Sequence, residues 1–144
     1  MKTKFSQLVK VKKRRIDEIE NELLDTQNQK RRVLIQIEDL LKEISKIKTP
    51  KSGSFSQINI AHFHLKNFSN QKNRYEEEIV KLDQQILGIK ELYKEANIEF
   101  EKVKYLEDLE IQKQLHELKI KENKDMDEIA NMLFAKQSRD VVYD

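Results

Sequence analysis

Apolar residues in this chain recur in alternating steps of three and four. From Ile58 onward the stepped positions are Ile58, Ala61, Leu65, Phe68, Lys72, Tyr75, Ile79, Leu82, Ile86, Ile89, Tyr93, Ala96, Phe100 and Val103. Only Lys72 is neither apolar nor aromatic. Such steps average about 3.5 residues and draw one narrow stripe down a helix, the seam of a coiled coil. A helix of a globular core would drift off that stripe and carry a wider apolar face. An earlier seam has the same rhythm: Phe5, Val9, Lys12, Ile16, Ile19, Leu23, Thr26, Lys30, Val33, Ile37, Leu40, Ile44 and Ile47.

Between the seams lies Lys48-Thr49-Pro50-Lys51-Ser52-Gly53-Ser54, with the only proline and one of the two glycines. Proline disfavours helix in the residue before it, and glycine permits a sharp turn. Ser54 or Ser56 can cap the second helix by accepting a backbone N–H. So short a break folds the second helix back beside the first. The pattern therefore predicts a helix over 4–48, a turn over 49–55, a helix over 56–137 and a C-terminal tail over 138–144, in a single domain of residues 1–144. The fold class is all-α: a long antiparallel two-helix coiled-coil hairpin whose second helix overhangs the first.

An antiparallel pair sets a against d, and the sequence offers a register in which facing residue numbers total 105. Ile47 then faces Ile58, Leu40 faces Leu65, Leu23 faces Leu82 and Phe5 faces Phe100. Lys30 and Lys12 face Tyr75 and Tyr93, where an aliphatic stem can lie on a ring while the ammonium reaches water. This register favours an intramolecular hairpin over a parallel homodimer. It leaves residues after Val103 unpaired. The next apolar residues, Leu106, Leu109, Ile111, Leu115 and Leu118, break the rhythm and predict a stutter. An unburied apolar stripe on a helix usually docks on something.

Composition narrows the class. Charged residues are 38% and hydrophobic residues 38% of 144, as in a long helix and not in a chain burying a wide core. Sustained heptads argue against disorder, the other reading of so polar a chain. The net charge of +2 does not by itself call for a polyanion. The absence of cysteine removes disulfides and thiol chemistry and suits the cytosol. No run reaches the ~20 apolar residues of a membrane span, and no signal-peptide core opens the chain, so membrane contact is expected only through partners.

Candidate chemistry is sparse. His62 and His64 point to different sides of a helix and His116 stands alone, so surface histidines outweigh a metal site. No phosphate loop, nucleophile motif or paired ligand spacing occurs, and no cofactor is expected. Lys10-Val11-Lys12-Lys13-Arg14-Arg15 is a basic run. It reads as a solvated face balanced by nearby acids, as a surface for an acidic protein, or as a phosphate grip. Off-seam Leu34, Ile35, Leu41 and Phe63, with Phe55 in the turn, read as a docking patch at the hairpin tip, as a locally widened core, or as a contact between hairpins.

The chain resembles the FliJ family of flagellar type III export proteins. The resemblance covers nearly the whole length. It rests on size, the helical hairpin, the opening Lys4-Phe5-Ser6-x-Leu8, basic then acidic helix residues, and Lys124-x-Met126-Asp127-Glu128-x-Ala130. It implies a non-enzyme shaped like the central stalk of a rotary ATPase. Its partners would be the export ATPase FliI with FliH, the export gate FlhA and export chaperones. Neither nucleic acid nor direct membrane insertion is implied, and the free chain would be a monomer. Its place would be cytoplasmic, peripheral at the inner membrane through the export apparatus. Phe5, Arg14, Arg15, Met126, Ile129, Met132, Leu133 and Phe134 would meet the ATPase ring. Leu34, Leu41, Phe55 and Phe63 would meet the gate. Competing readings are a homodimeric coiled-coil scaffold, a nucleic-acid arm and a prefoldin-like holdase. The last needs β-hairpins that the short break cannot supply.

Overall fold

A computed structural model describes residues 1–47 and 55–143, with side chains to residue 139. It contains two α-helices, α1 (Ser6–Lys46) and α2 (Phe55–Tyr143), and no strand among the described residues. They pack as a helical hairpin, as the two seams require. The turn inferred at Pro50 and Gly53, and the cap at Ser54, lie outside the described residues. Phe55, read as part of the turn, instead opens α2, and Ser56 lies inside it. α2 also continues past the end expected at residue 137.

Thr3 and Ser6 close the start of α1 reciprocally. The Phe5 N–H donates to Thr3 Oγ1 at 3.1 Å, and the Thr3 N–H donates to Ser6 Oγ at 2.8 Å. Two backbone donors that a helix start leaves orphaned are thereby satisfied, as in a capping box.

Every seam position named above is buried or half-buried, while the residues between them are almost all exposed. The chain divides into two compact units, residues 14–97 and residues 1–13 with 98–144. In the first, the buried apolar residues are Ile16, Ile19, Val33, Leu40, Leu82, Ile86 and Ile89. Thr26 is buried among the seam residues, and its hydroxyl donates to the Glu22 carbonyl at 2.9 Å, so no polar atom is stranded. In the second unit Val103 is the only buried apolar residue among those described. The first unit therefore holds most of the hydrophobic stabilisation, at about 1.5–3 kcal/mol for each fully buried aliphatic side chain.

The register is a correction to the sequence reading. In the unit of residues 14–97, Lys30 Nζ lies 2.7 Å from Asp83 Oδ1, so the facing numbers total 113. Gln36, Asp39, Leu40 and Glu43 line one groove with Gln71 and Tyr75, which agrees. In the other unit, Lys12 Nζ lies 3.7 Å from Glu99 Oε2, a total of 111. Each unit is thus shifted by about one heptad from 105. A shift of seven residues is ~10 Å along a helix, too far for Lys30 to reach Asp83 from opposite Tyr75. The slip preserves the a–d alternation, so the apolar layers accept either register. What differs is the lysines: they reach carboxylates and do not lie on tyrosine rings.

After Phe100, Val103 and Glu107 are buried and Lys104, Glu110, Ile111 and Gln114 half-buried, so the covered face continues through polar residues and takes in Ile111. Leu106, Leu109, Leu115 and Leu118 are exposed instead.

Candidate partner-binding surfaces

The second unit carries the expected ring-contact residues of the C-terminal segment. Met126, Ile129, Met132, Leu133 and Phe134 are all exposed, from 57% at Ile129 to 72% at Phe134. At 100° per residue, Ile111, Leu115, Leu118, Met126, Ile129 and Leu133 fall within a sector of about 80°. The buried and half-buried positions Val103, Glu107, Glu110 and Gln114 centre roughly 90° away around the same helix. This is a second stripe, rotated off the seam and spaced at the 3.6 residues of a straight helix. Glu122 interrupts it, while Met132 and Phe134 flank it.

Phe5 is different in kind. It is a half-buried seam residue, with Lys4 Nζ 5.3 Å from its ring centroid. Much of its ring is committed to the hairpin. Near it, Met1, Lys2, Thr3, Ser6, Gln7, Val9, Lys10 and Glu107 border an open groove of about 430 Å³. Glu107 is the polar residue that periodicity did not find. It sits on the seam, only 9% exposed, and accepts from Lys104 Nζ at 3.2 Å. That hydrogen bond, with the attraction of the same carboxylate, raises the Lys104 pKa above its ordinary 10.5. The signal available in the sequence was the heptad itself, continued through a polar residue.

Arg14 and Arg15 belong to the unit of residues 14–97, and both are exposed. Arg15 Nη1 lies 3.6 Å from Glu18 Oε2, with both side chains more than half exposed. A pair of this kind contributes ~0–1 kcal/mol and leaves the guanidinium open to a partner.

The tip residues Leu34, Leu41, Phe55 and Phe63 are exposed as well, Phe55 at 79% and Phe63 at 63%. Ile35 and Ile60 add to them. The register decides how they group. A facing total near 112 puts Phe63 about one heptad, ~10 Å, beyond Leu41 and farther still from Leu34. The four therefore form a ladder along the unit and not one compact patch. His64 meets the Phe63 ring edge-on, at 6.1 Å between centroids. No group of three or more His, Cys, Asp or Glu side chains is placed to hold a metal among the described residues. No described helix is long and apolar enough to cross a membrane.

The family model for the flagellar FliJ protein matches residues 1–139. The chain belongs to the FliJ family. FliJ proteins are non-catalytic components of flagellar export. No curated protein and no solved structure matches the chain.

Proposed function

We propose that this FliJ-family chain is the central stalk of the flagellar export ATPase. The C-terminal part of α2 enters the ring of FliI, which FliH regulates. The tip ladder of Leu34, Leu41, Phe55 and Phe63 contacts the export gate FlhA, and the chain escorts export chaperones. It works from the cytoplasm, peripheral to the inner membrane, and is a monomer at micromolar concentration. The observation that supports this reading best is the bare stripe from Leu115 to Leu133, an apolar face on a helix that has run out of intramolecular partner. Met126 in the stripe and Met132 beside it suit a contact with a changing surface, because the thioether side chain adapts its shape at little cost. Arg14 and Arg15 supply cations for acidic ring residues, and Phe5 contributes from the hairpin end.

Replacing Ile129 and Phe134 together with Asp should reduce FliI binding by more than about tenfold, ~1.4 kcal/mol, with helicity by circular dichroism unchanged. Binding that survives would remove the tail from the ring contact. Phe63→Ala should weaken FlhA binding and leave FliI binding intact. Equal losses at both partners would indicate a damaged hairpin and not a local contact.

A further inference from the structure

The bare stripe is nearly its own mirror image. Leu115 and Leu133 are equally distant from position 124, as are Glu122 and Met126, and Leu118 and Ile129 differ by one residue. The balance of charge changes about the same point. Lys119 and Lys121 precede it along with Glu122, Lys124 stands at it, and Asp125, Asp127 and Glu128 follow it. All of these side chains are exposed. A helix with this pattern complements a second copy of itself running the other way.

We propose that the free chain pairs with a second copy through this stripe, antiparallel and two-fold symmetric. Leu115 packs against Leu133 of the second copy, Leu118 near its Ile129, and Glu122 beside its Met126. Lys121 and Asp125 lie on the same flank of the helix, so the two-fold sets each Lys121 near Asp125 of the second copy. In an antiparallel pair the same flanks meet, which makes this pairing complementary, whereas a parallel pair in register would set like charges level. The stripe is narrow, well under the ~1,200 Å² of a stable interface, so the dissociation constant is on the order of 100 µM or weaker. The pairing shares the face assigned above to the ATPase but does not depend on that assignment. Where both hold, ring and second copy compete for one surface.

The full chain has no cysteine, so introduced ones report cleanly. A mixture of Leu115→Cys and Leu133→Cys proteins should form the mixed disulfide. Neither alone should link to itself, because an antiparallel pair separates like positions by ~27 Å. Sedimentation equilibrium from about 10 to 500 µM should show a dimer that Ile129→Asp abolishes and high salt weakens. Glu122→Leu fills the gap in the stripe and should tighten the dimer about tenfold. Self-linking of Leu115→Cys alone would mean a parallel pair and overturn the proposal. So would a monomer at every concentration with Glu122→Leu in place. FliI binding, measured separately on the unmodified chain, would then still stand or fall by itself.

Discussion

Single side chains reveal this hairpin's register, because its apolar layers do not. Ile, Leu and Phe recur every seven residues on both helices, so sliding one past the other by a heptad returns an equivalent core. Lys30 reports which register is taken: opposite Leu82 it reaches Asp83 at 2.7 Å, whereas opposite Tyr75 the carboxylate at the same offset would be Glu76. The pair is about a third to a half exposed, so its coupling should be small, below ~1 kcal/mol. A double-mutant cycle of Lys30→Met with Asp83→Asn, read by thermal unfolding, should show that coupling and lose most of it in high salt. The cycle of Lys30→Met with Tyr75→Phe should show none. The reverse result would restore the register read from sequence. Truncation at the core should cost far more. Ile19 is 1% exposed, and Ile19→Ala should destabilise by about 2–4 kcal/mol, against a few tenths for the exposed Leu24→Ala. Similar losses at the two positions would contradict the burial pattern.

At the scale of an element, α2 is an 89-residue helix that contains a glycine at position 88. Gly88 lies outside the seam, exposed, and a methyl group added there meets nothing within 4 Å. Glycine costs a helix interior roughly 0.5–1 kcal/mol relative to alanine, since its unfolded chain is freer. Gly88→Ala should therefore stabilise the hairpin by about that amount in urea unfolding, with the slope unchanged. A loss of stability would mean that something closes on this surface. The elements themselves were legible in sequence. Each seam residue from Phe5 to Ile47 and from Ile58 to Val103 is covered, because a 3.5-residue rhythm has no other stable use at this length. What failed was reading by apolar residues alone after Phe100. Leu106 and Leu109 are exposed, while the covered positions are Glu107, Glu110, Ile111 and Gln114. Near the open end of a helix pair, a long polar side chain can hold a seam position, because its head still reaches water or, as at Glu107, a lysine. The C-terminal stripe was legible as a list of exposed anchors. Its rotation off the seam required the burial of neighbouring positions to be known.

For the whole molecule, the heptad slip determines which surfaces are left for partners. In the unit of residues 14–97, a facing total near 112 sets Lys46 beside residue 66, so the first turns of α2, including Phe55 and Phe63, extend past the last described turn of α1. In the unit that holds the N-terminus, the same offset lets residues 1–13 cover α2 as far as Glu110 and Ile111, about a heptad farther than expected. The slip thus sets the first turns of α2 beyond the last described turn of α1 and covers the tail farther, ~10 Å in each unit. The bare tail stripe then begins at Leu115. Paired cysteines test this directly. Leu23→Cys with Ile89→Cys brings the thiols into one layer and should oxidise to an intramolecular disulfide within the range of ordinary geometry, Cα to Cα about 4.4–6.8 Å. Leu23→Cys with Leu82→Cys, one layer in the other register, should oxidise far more slowly, its thiols ~10 Å apart along the axis. Preferential closure of the second pair would return Phe63 to the side of Leu41. Leu41 and Phe63 would then lie together in one compact patch and not along a ladder.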